Sequence, residues 1–292
     1  MTSDVTGNAA TPIGRFAPSP TGPLHQGSVV AAVASYLDAR ARGGRWLLRI
    51  DDLDPPREVA GAADLIIETL HALGLDWDGE IVYQSCRGAA YAEALAILDA
   101  AGATFPCGCT RAMVGSGPYP GTCRNGLPPG RRARSLRVRV DADVIGFEDR
   151  VQGHYAQRLD VECGDFIVRR ADGLVAYHLA VVVDDAAAGV TDVVRGVDLI
   201  DSTPRQLHLQ RLLELPRPTY AHIDVVRDAR GVKLSKQSGA PGVLPAEAPA
   251  ALYAALAFLG HAPPPEAAGA PVGELLDWAL PRWALTVSAA GD

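Results

Sequence analysis

The sequence predicts an α/β protein in which a parallel sheet carries helices on both faces. Short apolar runs alternate with longer helix-like runs between residues 13 and 101. The strand-like runs are 13–17, 46–50 and 81–84, and the helix-like runs are 27–42, 60–73 and 89–101. Because this alternation is typical of β-α-β units, we expect the three strands to lie parallel and side by side.

The alternation stops at Thr104, and a different kind of segment follows. The stretch from about 104 to 189 holds closely spaced cysteines, a loop rich in proline and glycine, and short strand-like pieces such as 165–170. We interpret it as an α+β insertion between two halves of the sheet. The second half is expected from a strand at 190–195, a helix at 204–215 and a strand at 223–227. We therefore assign residues 1–240 to one catalytic domain and residues 241–292 to a short helical C-terminal part, with helices at 248–259 and 274–280.

The first strand leads directly into a segment suited to binding an anion. Pro18 to Pro23 is rich in proline and glycine, and His25, Gly27 and Ser28 stand immediately before the first helix. Free backbone N–H groups and the positive end of the helix dipole meet at such a position. In a parallel sheet, ligands bind beyond the carboxyl ends of the strands, which is where this segment and residues 51–54 fall.

A second candidate phosphate-binding segment lies far away in the sequence. Lys233-Leu234-Ser235-Lys236-Gln237 places two lysines three residues apart around a serine, between a strand-like run and a segment with glycine and proline. Each segment alone is ordinary, since one is a turn before a helix and the other a solvated loop. Together, and in this order, they indicate nucleotidyl transfer from ATP.

These two segments resemble the HIGH and KMSKS motifs of class I aminoacyl-tRNA synthetases of the glutamyl group. They correspond to His25-Gln26-Gly27-Ser28 and Lys233–Gln237, and Arg15 to Gly22 is similar to the opening of that group. The similarity extends from about Ile13 to Pro241. The resemblance implies a Rossmann-type fold and the ATP-dependent activation of L-glutamate to glutamyl-adenylate. The chain is most similar to short members of the group, which activate glutamate without tRNA and transfer it to the queuosine base at the wobble position of tRNA(Asp).

The resemblance also implies roles for individual residues. His25 and Lys236 would compensate the charge of the transition state, with Mg²⁺ on the phosphates of ATP. The implied ATP-binding residues are His25, Gly27, Ser28, Lys233, Ser235 and Lys236. The implied glutamate-binding residues are Arg15, Phe16, Ala17, Pro18, Ser19, Asp51, Tyr177 and Arg195. Arginine suits a side-chain carboxylate because its planar fork pairs with both oxygens. Asp51 stands where the group has glutamate, and Gln26 stands where it has an apolar residue.

Three of the five cysteines lie close together and suggest a structural zinc site. Cys107, Cys109 and Cys123 fall within one loop that is too poor in apolar residues to order itself. Tetrahedral zinc needs a fourth ligand, which the spacing leaves open between water, histidine and a less usual group. The resemblance implies Tyr119. The alternative is three reduced cysteines that bind no metal.

Charge and hydropathy limit the classes of partner. A formal net charge of −7 argues against a protein that coats nucleic acid indiscriminately, so contact with RNA should be local. The candidate contact is a run of five arginines, with a solvated strand edge as the alternative: Arg131, Arg132, Arg134, Arg137 and Arg139. No long apolar run or export leader is evident, so we expect a cytoplasmic monomer that binds ATP, L-glutamate and tRNA and no membrane.

Two other functions remain open at this point. The chain could be a truncated glutamyl-tRNA synthetase that charges tRNA(Glu), with a partner protein supplying the anticodon contact. The short part after residue 240 has no room for an anticodon-binding domain, which favours the short members of the group. The chain could also be a catalytically silent protein that still binds glutamate or tRNA. The pair His25 and Lys236 argues against the silent protein, whereas Asp51 and Gln26 keep it in consideration.

Overall fold

The computed structural model describes residues 11–228, 230–234 and 240–286. In this part of the chain, ten strands and nine α-helices alternate much as the sequence predicts. The strands are β1 Ile13–Phe16, β2 Arg45–Ile50, β3 Val82–Tyr83, β4 Thr104–Cys107, β5 Ser135–Val138, β6 Val144–Asp149, β7 Gly153–Arg158, β8 Phe166–Arg169, β9 Asp192–Gly196 and β10 Thr219–Ile223. The helices are α1 Gln26–Arg40, α2 Ala62–Ala72, α3 Gly88–Ala100, α4 Arg111–Val114, α5 Leu159–Glu162, α6 Tyr177–Ala187, α7 Thr203–Leu212, α8 Ala248–Phe258 and α9 Val272–Ala279.

The strands form three sheets. β1, β2 and β3 lie side by side and parallel, as predicted. A second sheet has the order β7-β6-β10-β9, in which β10 is parallel to both β6 and β9, and β6 and β7 form an antiparallel hairpin. The third sheet, β4-β5-β8, is antiparallel. The first two sheets meet where the Thr191 amide donates to the Ile13 carbonyl at 3.0 Å, so the carboxyl ends of β1, β9 and β10 face one region.

The segment predicted as an insertion divides between two sheets. Its cysteine-bearing part builds the antiparallel sheet β4-β5-β8, whereas the β6–β7 hairpin joins β10. The last predicted strand is displaced, because β10 spans Thr219–Ile223 instead of 223–227. Beyond Ile223 the chain leaves the sheet, and Asp224 to Val226 line a cleft. The apolar residues after Ile223 resemble a strand in sequence because they form a wall of that cleft, although they do not pair in the sheet.

Two apolar cores hold these layers together. In the first, α1 is covered on one side by β1 and β9 and on the other by α8, which explains why its sequence is apolar almost all round. Trp46 of β2 is fully buried there and donates from Nε1 to Ser35 Oγ at 3.0 Å. The second core joins α3, α6 and α7 to β8 and β9. The helices α8 and α9, predicted at 248–259 and 274–280, thus belong to the first core.

None of the described helices is long and apolar enough to cross a membrane.

Candidate active site

A cleft of about 450 Å³ opens at the carboxyl ends of β1, β9 and β10. The start of α1 forms one wall, and residues that follow β9 and β10 form the other. Many residues predicted to bind ATP or glutamate line it: Phe16, Ala17, Pro18, Ser19, His25, Gly27, Ser28 and Lys233. Asp198 and Asp224 also line the cleft, although no sequence motif marks either of them. The two distant sequence segments therefore meet at one site.

His25 sits at the N-cap of α1 and is held by Ser28. Its Nδ1 accepts from the Ser28 amide at 3.2 Å, and its Nε2 lies 3.2 Å from Ser28 Oγ. Because Nδ1 accepts, the proton is on Nε2, which can act as a donor at the helix N-terminus. A Cβ atom on Gly27 would lie 3.1 Å from the His25 ring, so glycine lets the backbone pass close to the imidazole.

The described residues on either side of 235–239 lie close to the start of α1, where His25 stands. The Leu234 amide donates to the Val226 carbonyl at 2.8 Å, and the Leu234 oxygen would lie 3.7 Å from a Cβ on Gly27. On the other side, the Val243 amide donates to the Leu24 carbonyl at 2.7 Å. Lys233 pairs with Asp198. Ser235 and Lys236 lie outside the described residues, so their predicted contacts stay predictions.

A buried ionic network joins two residues predicted to bind glutamate. Arg15 Nε lies 3.4 Å from both oxygens of Asp185, and Asp185 accepts from Arg49 Nη1 at 2.5 Å. Arg49 Nε in turn donates to Asp51 at 2.7 Å. Burial raises the pKa of Asp51 even though Arg49 opposes that shift. An additional cation next to Asp51 would therefore favour its ionised form.

Arg195 lies at the end of β9 and is held entirely by neutral groups. Its Nε is 3.0 Å from His222 Nε2, and its Nη2 donates to Thr203 Oγ1 and Gln206 Oε1, each at 2.8 Å. Its buried Nη1 has no hydrogen-bond partner among the described residues. Burial lowers the pKa of Arg195, while the field of Tyr177 raises it. Arg195 is thus a buried cation with no carboxylate partner in the described part of the chain.

Tyr177 is the first residue of α6 and is 40 % exposed. Its electrostatic influence reaches Arg195, as does that of Arg15. The electrostatic fields of these two side chains, predicted from separate parts of the sequence, thus act on the guanidinium of Arg195. Next to Tyr177, His178 is half-buried; its Nδ1 atom is buried and its Nε2 lies 3.2 Å from Arg205 Nη1.

The three predicted cysteines come together with the predicted tyrosine. The sulfur atoms of Cys107, Cys109 and Cys123 lie within 4.8 Å of one another, and those of Cys109 and Cys123 are 3.7 Å apart. Tyr119 Oη is 3.4 Å from Cys107 Sγ and 4.0 Å from Cys109 Sγ, and it accepts from the Cys123 amide at 2.8 Å. These four side chains are mutual neighbours around one small volume.

Two arginines of the run predicted to contact RNA, Arg131 and Arg137, donate hydrogen bonds to sulfur atoms of this cluster. Arg137 is buried, donates to Cys107 Sγ at 3.3 Å and stacks over the Tyr119 ring at 3.8 Å. Arg131 Nη1 donates to Cys109 Sγ at 3.5 Å. Burial raises the pKa of Cys107, but hydrogen bonds from Tyr119, the Cys109 amide and Arg137 outweigh it and lower the pKa to about 7. Of the five arginines, Arg132 and Arg134 are exposed.

The chain belongs to the class I tRNA synthetases. It matches the family described as tRNA synthetases class I (E and Q), catalytic domain, over residues 13–114 and 125–244. That match covers both motifs and most of the cleft, and it defines the protein as an enzyme of the synthetase, or ligase, type.

Within this class, the chain is similar to proteins with more specific names. The chain is 56 % identical over 284 residues to the glutamyl-Q tRNA(Asp) synthetase of Thiobacillus denitrificans, covering 94 % of each chain. It is 55 % identical to the glutamyl-Q tRNA(Asp) synthetase of Aromatoleum aromaticum, covering 95 % of this chain and 91 % of that one. Among solved structures it is similar to a glutamate tRNA ligase from Elizabethkingia meningosepticum in complex with its amino acid, with a TM-score of 0.69, 26 % identity and 78 % of this chain covered. The chain spans about half the length of that ligase, 52 %.

Several residues of the site were not predicted from the sequence. Arg195 contacts Thr203, Gln206 and His222, and Asp149 lies behind His222. No local motif marks these four residues. Asp185, which pairs with Arg15 and Arg49, is a further residue of this kind. The one available signal was chemical: each is a polar residue in or beside an apolar run, and such a residue needs a buried partner.

Proposed function

We propose that the protein activates L-glutamate with ATP and transfers the glutamyl group to the queuosine base at the wobble position of tRNA(Asp). The observation that carries this proposal is the single cleft at which His25 and the lysine segment meet. The high identity to proteins named glutamyl-Q tRNA(Asp) synthetase over nearly the whole chain supports the choice of acceptor. We expect the reaction in the cytoplasm, where tRNA is found.

Activation needs positioning and charge compensation rather than an enzymic nucleophile. The substrate carboxylate attacks the α-phosphate of ATP in line with the departing pyrophosphate, and negative charge builds on the phosphate oxygens. His25, whose Nε2 lies 3.2 Å from Ser28 Oγ, lines the cleft together with Gly27 and Ser28 at the start of α1, so it would supply a donor where that charge develops. Lys233 lines the same cleft, and Lys236 would approach the phosphates from the same segment. ATP enters as its Mg²⁺ complex, in which the metal neutralises charge on the phosphates.

The side-chain carboxylate of glutamate finds its counterion in Arg195. A buried guanidinium without an anionic partner is costly, and the unpartnered Nη1 offers a donor to an incoming carboxylate. Arg15 and Tyr177 are neighbours of this guanidinium and would complete the recognition. Asp51, which ends the ionic chain from Arg15 through Asp185 and Arg49, would face the substrate ammonium. Opposite charges would thus mark the two ends of the amino acid.

The cysteine cluster suits one structural zinc ion. For a tetrahedral site with Zn–S of ~2.3 Å and Zn–O of ~2.0 Å, S···S separations of ~3.8 Å and S···O separations of ~3.5 Å are expected. The distances of 3.7 Å between Cys109 and Cys123 Sγ and 3.4 Å between Cys107 Sγ and Tyr119 Oη agree with this geometry. Zinc would supply four bonds within a loop that has little apolar content, while Arg131 and Arg137 balance its anionic ligands.

The acceptor is tested by locating the label after a transfer reaction. The protein is incubated with ATP, radiolabelled L-glutamate and bulk tRNA, and nuclease digestion then identifies the labelled nucleotide. We expect label on queuosine from tRNA(Asp) and none when the tRNA(Asp) is an unmodified transcript. Label on the 3′-terminal adenosine of tRNA(Glu) would instead establish a truncated glutamyl-tRNA synthetase. No incorporation, together with retained glutamate binding, would establish a silent binding protein.

A further inference from the structure

The guanidinium of Arg195 is fixed by an arrangement that depends on one histidine tautomer. Arg195 Nε is a donor, and the atom it faces at 3.0 Å is His222 Nε2. This contact is a hydrogen bond only if His222 Nε2 carries no proton. Thr203 Oγ1 also lies 3.2 Å from the same nitrogen and can donate its hydroxyl proton to it. The tautomer of His222 therefore decides whether Arg195 is held or repelled.

Asp149 sets that tautomer. Its Oδ2 lies 2.5 Å from His222 Nδ1, and both side chains are completely buried. A carboxylate at this distance requires the imidazole proton on Nδ1, which leaves Nε2 as an acceptor. Burial lowers the pKa of His222, and the charge of Arg195 lowers it further while Asp149 opposes them, so the ring is neutral at pH 7.

The backbone holds the carboxylate of Asp149 in one orientation. Asp149 Oδ1 accepts from the amides of Val151, Gln152 and His222, each at 3.0 Å. Three amide donors on Oδ1 leave Oδ2 for the imidazole. The chain of contacts runs from the β6–β7 turn through His222 of β10 to Arg195 of β9.

We propose that Asp149 and His222 form a positioning pair that holds Arg195 ready for the substrate carboxylate by locking His222 in its Nδ1-protonated tautomer. The proposal rests on the proposed role of Arg195 in binding glutamate. Neutral partners at Nε and Nη2 fix the guanidinium without neutralising its charge, so the carboxylate of the substrate remains its strongest available partner. A carboxylate placed directly against Arg195 would compete with glutamate for the same donors.

The isosteric variant Asp149→Asn tests the tautomer directly. Because three amides require an oxygen at the Oδ1 position, the side-chain amide nitrogen of the introduced asparagine must face His222 Nδ1 and donate to it. The imidazole proton then moves to Nε2, where it opposes the Arg195 N–H. We expect the KM for glutamate in tRNA-free ATP–pyrophosphate exchange to rise at least ~10-fold, with the KM for ATP within about twofold of the wild-type value. Nitrogen-15 NMR should show the His222 proton moving from Nδ1 to Nε2.

Two variants at His222 provide a matched pair that separates positioning from packing. His222→Gln can place an oxygen near the Nε2 position and keep an acceptor for Arg195, whereas His222→Asn can reach Asp149 but offers Arg195 nothing. We expect His222→Asn to raise the KM for glutamate as Asp149→Asn does, and His222→Gln to stay within about threefold of wild type. If Asp149→Asn does not fold, this pair decides the question by itself.

The opposite results would overturn the proposal. Equal effects of His222→Gln and His222→Asn on the KM for glutamate would mean that Asp149 and His222 serve only packing. Parallel rises in the KM for glutamate and for ATP would mean the same. So would an Asp149→Asn variant whose KM for glutamate changes while the His222 tautomer does not. Arg195→Lys distinguishes a failure of the positioning pair from a failure of the proposed role of Arg195 in binding glutamate. If Arg195→Lys leaves the KM for glutamate unchanged, the assigned role of Arg195 is wrong; if Arg195→Lys raises it while the Asp149 and His222 variants do not, only the positioning pair fails.

Discussion

The imidazole of His25 has two functions at the start of α1. Its Nδ1 caps the helix by accepting from the Ser28 amide, and its Nε2, which lies 3.2 Å from Ser28 Oγ, would donate to the charge that develops in the cleft. The first function stabilises the fold, and the second belongs to the proposed chemistry. A substitution that preserves one and removes the other can therefore separate them.

His25→Asn is expected to be folded but nearly inactive. Asparagine is among the best N-cap residues, so the cap survives while the imidazole is lost. We expect the rate of ATP–pyrophosphate exchange to fall ~10²- to 10³-fold, as for the loss of one donor to a transition-state oxyanion. His25→Ala should show a similar loss of rate and should also lose ~1 kcal/mol of folding free energy. A loss of rate below about threefold in His25→Asn would remove His25 from the mechanism.

Single residues also show what the sequence could and could not reveal. His25 and Arg15 were predictable because they belong to recognisable motif segments, and Arg195 because it ends a strand-like run. Asp149 and His222 were not, because they are separated by 73 residues and meet only through the pairing of β6 with β10. Gln26, unexplained by the sequence, donates to the Ala251 carbonyl at 2.9 Å and ties the start of α1 to α8.

Among the structural elements, the cysteine-bearing loop depends most on a ligand. Its core contains only Phe105, Cys107, Tyr119 and Cys123 as buried residues among those the structure describes, which is too little apolar surface to order a segment rich in glycine and proline. Of the five arginines predicted as an RNA contact, Arg131 and Arg137 turn toward the sulfur atoms. For the exposed Arg132 and Arg134 the contact with RNA stays a prediction. Sequence spacing marks the charges but not the direction in which they point.

Zinc analysis of two cysteine variants tests this element. Protein purified without chelator should contain one zinc ion per chain. We expect Cys123→Ser to lose zinc and to unfold at lower temperature, because removing a ligand removes binding free energy that also stabilises the fold. Cys86→Ser is the matched control, since Cys86 is exposed and lies outside the cluster. Clearly substoichiometric zinc in the wild-type protein, or equal zinc contents in both variants, would contradict a structural zinc site.

For the whole molecule, His178 and the buried carboxylate of Asp185 give the folding stability two separate dependences on pH. Burial, together with the charges of Arg205 and Arg195, lowers the pKa of His178 to about 3. The folded protein therefore resists a proton that the unfolded chain accepts near pH 6.5, so this contribution is complete above pH 6.5 and is lost as pH falls toward 3. Although burial opposes the shift, nearby arginines hold the pKa of Asp185 below 3.8, so its contribution is lost only in stronger acid.

The variant His178→Gln should weaken the dependence of unfolding free energy on pH between about pH 6 and pH 4. Glutamine can still accept from Arg205, but it takes up no proton in either state. Between about pH 6 and pH 4, the slope of unfolding free energy against pH should decrease by ~1.4 kcal/mol per pH unit, the value for one proton. Chemical denaturation across this range measures the slope. An unchanged slope would mean that His178 titrates in the folded protein much as it does in the unfolded chain.

The order of strands and helices could be predicted because it follows from local periodicity, whereas the joining of distant segments could not. The pairing of β6 with β10 and the packing of α8 on α1 connect parts of the chain that share no sequence signal. Even so, the central feature of the molecule, a cleft shared by both motif-bearing segments, was predictable because two motifs of one family imply a common ligand.

ATP–pyrophosphate exchange in the absence of all RNA is the most direct test of the account, because it isolates the step assigned to that cleft. We expect labelled pyrophosphate to enter ATP only when L-glutamate is present, at a rate that added tRNA does not increase and that Lys236→Ala strongly reduces. Exchange that requires tRNA(Glu), that proceeds equally well with another amino acid, or that survives Lys236→Ala unchanged would contradict it.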